Sequence, residues 1–193
     1  ERDRPDVVEK RMLWHKTEWI KNAQSLVFLD ESGVNTDETR HYGRAEGVDR
    51  THDVTPLNTP KSTTILSSVR MNGDTVYTTF SGAVNGEKFQ EYLREHLTPT
   101  LKLGDIVIMD NLRTHKVQGV RELIESVGAT VLYLPPYSPD LNPIEQMWSK
   151  VKALLRAMKA RTVEALLSAI PLAFQAVSID DIRGWFSAAG YWR

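Results

Sequence analysis

Two aspartates stand where an apolar run gives way to polar residues: Asp30 after Leu26-Val27-Phe28-Leu29, and Asp110 after Ile106-Val107-Ile108-Met109. A third acid, Glu145, closes the proline-studded segment Leu134-Pro-Pro-Tyr-Ser-Pro-Asp-Leu-Asn-Pro-Ile-Glu145. Carboxylates delivered from strand ends converge on the crevice at a sheet rim. Three such groups form an oxygen donor set suited to hard divalent ions, Mg²⁺ or Mn²⁺. Two ions about 3.5–4 Å apart can clamp the attacking and leaving oxygens of a phosphodiester during in-line displacement. Each acid also has a plainer explanation. An aspartate after a strand commonly bonds its own backbone in a turn. Glu145 is the third residue of a helix with Asn142 as N-cap and Pro143 in the first position, a variant capping box. Capping does not explain why so rigid a loop should deliver a glutamate just after a strand.

The elements that must position these acids follow from periodicity and punctuation. Residues 6–24 carry Val7, Val8, Met12, Trp14 and Ile20 among many charges, which predicts a helix packed loosely on the remainder. Leu26–Leu29 predicts a strand that ends at Asp30-Glu31-Ser32-Gly33, where the chain turns. Residues 35–60, with Pro56 and Pro60, predict a long irregular excursion. Thr63–Val69 and Thr75–Phe80 flank Asn72-Gly73, the strongest short hairpin signal. Asn85 can cap a helix whose Phe89, Tyr92, Leu93 and Leu97 form one stripe ended by Pro99. Ile106–Met109 predicts a strand, Val117–Ser126 a short helix stopped by Gly128, and Val131–Leu134 a further strand, with helices from Pro143 onward. A hairpin at the front and helix-linked strands behind imply an α/β fold with a mixed five-stranded sheet covered by helices on both faces.

The 193 residues suit one domain with a substantial core, and 41% hydrophobic with 25% charged residues is ordinary for a globular protein. The absence of cysteine excludes disulfides, thiolate catalysis and cysteine-ligated metal sites. No apolar run approaches a membrane span and the first residues do not form a signal peptide, so a cytoplasmic location and no membrane partner are expected. A net charge of −1 gives no bulk signal for nucleic acid.

The motifs carry more. Phe28-Leu29-Asp30-Glu31-Ser32-Gly33, Ile108-Met109-Asp110-Asn111 with His115, Pro135 through Glu145, and Trp148 with Lys152 together resemble the DDE-type transposases of the mariner-like superfamily, most closely the bacterial insertion-sequence branch. The 34 residues between Asp110 and Glu145 fit that family's spacing. The resemblance covers nearly the whole chain and is weakest over residues 35–60. It implies a ribonuclease H-like catalytic domain over residues 25–193, with residues 1–24 joining it to an absent N-terminal DNA-binding region. It implies Asp30, Asp110 and Glu145 as catalytic and metal-binding residues for two Mg²⁺ or Mn²⁺ ions. It also implies double-stranded DNA, as transposon ends and target, for partner, insertion at TA dinucleotides, a homodimer in the active complex, and a bacterial, DNA-associated setting. Asp110, on the strand expected to be central, is the candidate bridging ligand.

Other residues receive smaller roles. Asn111 and His115 match positions at the rim of the site, where they would position phosphate or water. Glu31 is expected to face away from Asp30. His41, His52 and His96 show no metal spacing, and the tryptophans are read as packing residues. On the helix from Pro143, Glu145, Ser149, Lys152, Arg156 and Lys159 fall along one stripe opposite Met147, Val151, Leu154 and Met158, so that Lys152, Arg156 and Lys159 are candidate phosphate contacts. Two further readings stay open: a non-catalytic DNA-binding or regulatory fragment, and a generic ribonuclease H-like nuclease.

Overall fold

A computed structural model describes residues 1–17, 22–37 and 62–192. His41, His52, Ile20 and most of the 35–60 segment lie outside the described residues.

The strands are β1 (Leu26–Val34), β2 (Thr63–Arg70), β3 (Thr75–Ser81), β4 (Ile106–Met109) and β5 (Thr130–Tyr133). They form one five-stranded sheet in the order β3-β2-β1-β4-β5. β1 pairs antiparallel with β2, and β2 with β3, while β4 runs parallel to both β1 and β5. The expected mixed sheet is therefore present. The β2–β3 turn closes where Gly73 adopts φ +99°, a left-handed conformation that a residue with a Cβ takes up only at a cost.

Two expectations about the strands are corrected. β1 does not stop at Asp30 but continues through Val34, because β2 supplies pairing partners for Asp30, Glu31, Ser32 and Gly33 in turn. The central strand is thus β1, carrying Asp30, and β4 lies one strand further out. A polar stretch was compatible with a strand here because backbone pairing, rather than side-chain apolarity, satisfies it.

The helices are α1 (Pro5–Lys16), α2 (Gly86–Tyr92), α3 (Val120–Glu125), α4 (Pro143–Met158), α5 (Val163–Gln175) and α6 (Ile179–Ala188). Alternation along the strands separates two cores. Phe28 and Ile108 face one core with Ile144, Met147, Trp148 and Val151 of α4, and with α5 and α6. Val27, Leu29, Val107 and Met109 face the other, with Phe89 and Tyr92 of α2 and Val120 and Ile124 of α3. Helices accordingly cover both faces. α1 is shorter than expected, and it is not loosely packed: Val7 and Trp14 are buried, and Trp14 belongs to the α4–α6 core. No single described helix is long and apolar enough to cross a membrane.

Candidate active site

Phe28 of β1 stands opposite Ile108 of β4, and both point to the α4 face. Two residues further along each parallel strand come Asp30 and Asp110. Asp30 lies within β1 and Asp110 just past the end of β4, and continuing the two-residue period from the paired Phe28 and Ile108 puts them on the same face at neighbouring strands. Glu145 reaches this face from α4, which follows β5 through the proline loop. Strand register and helix packing thus bring the three acids to one rim.

Direct contacts agree. Trp148 of α4 donates its indole N–H to Asp30 Oδ2 at 3.2 Å, in the buried interior. Glu145 lies three residues earlier on α4, hence adjacent to Trp148 on the helix surface. Burial, reinforced by Glu145 and by Asp110, pushes the Asp30 carboxyl up to about 7. Burial and Asp110 also raise Glu145, against Lys152, which lowers it. Burial would raise Asp110 as well, yet His115 and the Leu112 backbone N–H hold it below the usual carboxylate range. Both of these contacts fall on Oδ1: the Leu112 N–H donates to it at 2.9 Å, and His115 Nδ1 lies 2.7 Å away. The His115 approach is close but off the N–H direction, so it is an electrostatic contact rather than a hydrogen bond.

A cleft of about 500 Å³ opens over this rim, lined by Asp110, Asn111, Leu112, Pro136, Tyr137 and Glu145 among others. Asp30 is only 7% exposed and does not line it. The donor set fits a hard divalent cation: three carboxylates, of which two are raised by burial and mutual repulsion, the cost that a bound cation removes. Among the described residues no three acidic or histidine side chains surround one point closely enough to ligate an ion as they stand. The acids share a rim and perturb one another without being drawn into ligating geometry.

His115 departs from expectation. It is fully buried, its ring 4.6 Å from that of Phe89, so it supports Asp110 from beneath and has no surface with which to reach phosphate or water at the rim. A histidine after a strand end looks like a rim residue because the short turn at Thr114–Lys116, which folds it inward, leaves no periodic signal. Asn111 is exposed beside the cleft, and its side-chain amide donates to the Leu134 carbonyl, joining the ends of β4 and β5. Glu31 points to the face opposite Asp30, as alternation requires; burial raises its carboxyl, and Oε2 has no hydrogen-bond partner. Asn142 precedes α4 as expected but makes no side-chain cap, and its buried Oδ1 has no partner, so the capping box is not formed.

On α4 the buried residues are Pro143, Ile144, Met147, Trp148, Val151 and Leu155, while Met158 is 40% exposed and Leu154 half-buried. The apolar stripe is therefore rotated toward Trp148 from the face expected. Lys152 and Arg156 are half-buried along the Glu145 side. Lys159 falls after the helix, in a left-handed conformation with φ 53°, and leaves the stripe. Sequence reasoning missed Trp148 as a partner of Asp30, although its place one helical turn after Glu145 was a signal for it.

Among known proteins, the model of the family described as DDE superfamily endonuclease matches residues 25–167. The transposable element Tc1 transposase of Caenorhabditis elegans is 26% identical over 95 residues, 49% of this chain and 35% of that protein. The crystal structure of the Mos1 mariner paired end complex with Mn superposes with a TM-score of 0.75 at 18% identity, covering 98% of this chain and 61% of that one. The catalytic domain of Mos1 mariner transposase gives a TM-score of 0.70 at 18% identity, covering 100% of this chain and 91% of that one. At this identity the structural likeness establishes the fold, a ribonuclease H-like α/β sheet with helices. The chain spans about a third of the Tc1 transposase and about three-fifths of the protein in the Mos1 paired end complex.

Proposed function

The chain belongs to the DDE superfamily of endonucleases, and from that membership we propose that it is the catalytic domain of a DNA transposase, with Asp30, Asp110 and Glu145 as its catalytic and metal-binding acids. The observation that carries this reading is that Asp30 on β1 and Asp110, just past the end of β4, each stand two residues beyond the paired Phe28 and Ile108 of these parallel strands, with Glu145 one helical turn from the tryptophan that bonds Asp30. A turn-forming role for each aspartate separately would not require them to share a face with Glu145, nor Asp110 to add to the burial that raises the carboxyls of Glu145 and Asp30.

Bound by these carboxylates, two divalent ions, Mg²⁺ or Mn²⁺, would supply charge neutralisation at the attacking and leaving oxygens of the phosphodiester, in cleavage at transposon ends and in strand transfer to target. The protein's own part is to hold and orient. Trp148 fixes one oxygen of Asp30. Leu112 and His115 both engage Oδ1 of Asp110, which leaves Oδ2 the lone pairs for ligation. Lys152 offsets charge at Glu145 and, with Arg156, continues the rim as a path for a DNA backbone. Asn111 keeps the strand ends of the rim together.

The finer assignments belong to the same reading. Residues 25–193 act as the catalytic unit and residues 1–24 as the segment joining it to DNA-binding modules. Double-stranded DNA is the partner, in a homodimeric active complex; the Mos1 transposase paired-end complex with left transposon end is a relative's precedent for transposon-end DNA. The Pro135–Glu145 loop supports reading the chain as a member of the bacterial insertion-sequence branch. The test is to incubate the chain with duplex oligonucleotides and Mg²⁺ or Mn²⁺. Metal-dependent strand cleavage that is lost in Asp110→Asn supports the proposal. Equal cleavage by the variant, or no cleavage under either ion, refutes it.

A further inference from the structure

The residue that must arrive at the rim with the least help from regular structure is Glu145. Asp30 is held by its strand and Asp110 follows β4 directly, but Glu145 depends on where the proline loop starts α4. The features expected to fix that start are weak here. Tyr137 has φ 54°, a left-handed conformation costly for a bulky side chain. Pro139–Leu141 forms a single 3₁₀ turn, and Asn142 gives the helix no side-chain cap.

Two anchors come instead from the two ends of the chain. Arg11, in α1, donates from Nη1 to Asp140 Oδ1 at 3.0 Å and from Nη2 to Asp140 Oδ2 at 2.6 Å, the parallel two-bond geometry that gives an Arg–carboxylate pair its directionality. Its Nη1 also donates to Ser138 Oγ at 2.7 Å, and Ser138 Oγ donates in turn to the Pro136 carbonyl at 3.0 Å. The Arg11 side chain is 15% exposed and that of Asp140 42%, so the pair is sheltered on the Arg11 side and open to solvent on the other. Contact with Arg11 holds Asp140 below the usual carboxylate range. From the other end, Tyr191 donates its hydroxyl to the Leu141 carbonyl at 2.7 Å and accepts from the Trp14 indole N–H at 2.9 Å, both in the buried interior. Arg11, Trp14 and Tyr191 all lie outside residues 25–167, the part matched by the family model.

We propose that Arg11 and Tyr191 are positioning residues for Glu145: α1 and the C-terminal segment together clamp the Ser138–Leu141 turn, and that clamp sets where α4 begins and so where its glutamate stands. This inference rests on the role proposed for Glu145. α1 is thereby part of the catalytic machinery's support rather than a passive connection.

The test uses the full chain and the variants Arg11→Ala, Tyr191→Phe, and the reciprocal exchange Arg11→Asp with Asp140→Arg. Three quantities are read: backbone amide hydrogen exchange at Leu141 and Asn142, Mn²⁺ affinity, and the single-turnover DNA cleavage rate beside the DNA dissociation constant. Arg11→Ala is expected to speed exchange at these two amides by about tenfold or more, since both close the clamped turn. It is expected to weaken Mn²⁺ binding and to slow cleavage about tenfold or more at unchanged DNA affinity, the signature of a displaced group rather than a lost binding contact. The reciprocal exchange should restore part of each. Tyr191→Phe removes one hydroxyl with little change of shape, so it reads the clamp even if Arg11→Ala unfolds the chain. Exchange, Mn²⁺ affinity and rate that stay within twofold of the parent in Tyr191→Phe and in any folded Arg11→Ala overturn the proposal. If the parent cuts no DNA, the assignment of Glu145 fails on its own, while unchanged exchange and Mn²⁺ binding separately defeat the clamp.

Discussion

Replacing Asp30 by asparagine should make the protein more stable at alkaline pH, although it removes a proposed catalytic acid. The Asp30 carboxyl is moved from 3.8 to about 7, chiefly by burial and then by Glu145. At about 1.4 kcal/mol per pH unit, ionising it within the fold costs on the order of 4 kcal/mol. The folded state therefore holds this proton more tightly than the unfolded state. Below about pH 4 both states are protonated and the group has no effect. As pH rises from there toward 7 the parent protein loses stability, and the loss is complete above 7. The asparagine side chain carries no charge to desolvate, and its amide oxygen can still accept from Trp148. The assay is thermal unfolding followed by circular dichroism from pH 4 to 8, with chelator present so that no cation compensates the cluster. Asp30→Asn should unfold near the parent's temperature at pH 4 and about 10 °C higher at pH 8, taking roughly 2–4 °C per kcal/mol for a chain of this size. Parallel pH profiles for the two proteins would mean that Asp30 ionises like a surface carboxylate, and the argument that the three acids crowd one rim would fail.

Binding of Mn²⁺ must displace the Asp30 proton, so its affinity should rise between pH 6 and 7 by up to about tenfold and level off above, with proton release seen by calorimetry in two buffers; a flat affinity would contradict this. Trp148→Phe removes the N–H that orients Asp30 and should weaken Mn²⁺ binding about tenfold, the usual effect of losing a supporting bond behind a ligand, whereas unchanged affinity would reduce Trp148 to packing. Lys152→Ala combined with Arg156→Ala should weaken duplex DNA binding and reduce the slope of log affinity against log salt by about 2 without unfolding the domain. An unchanged slope in the folded double variant would leave these residues as surface charge.

The sequence was most legible where one signal decided one element. Asn72-Gly73 located the hairpin, and Ile106–Met109 formed a strand at the expected residues. The candidate acids stood out because two of them follow apolar runs and the third follows a loop too constrained to be incidental. What was not legible depended on partners distant in sequence. β1 extends past Asp30 because β2 pairs with it, which its own polar residues do not announce. His115 is buried because Phe89 receives its ring, 26 positions earlier in the chain. Arg11 looked like one charge among many on a weakly patterned helix until Asp140, 129 residues away, appeared beside it. Local pattern singled out the candidate residues, and tertiary contact decided which side chains surround them.

The most direct test of the central claim is the anomalous scattering of Mn²⁺ in crystals of this chain, grown or soaked with MnCl₂ near pH 8. An anomalous peak between the carboxylates of Asp30, Asp110 and Glu145, absent from Asp110→Asn crystals treated identically, is the predicted result. Occupied Mn²⁺ elsewhere on the surface with none at this rim, or a peak there that persists in Asp110→Asn, would contradict the assignment of these three acids as one metal-binding active site.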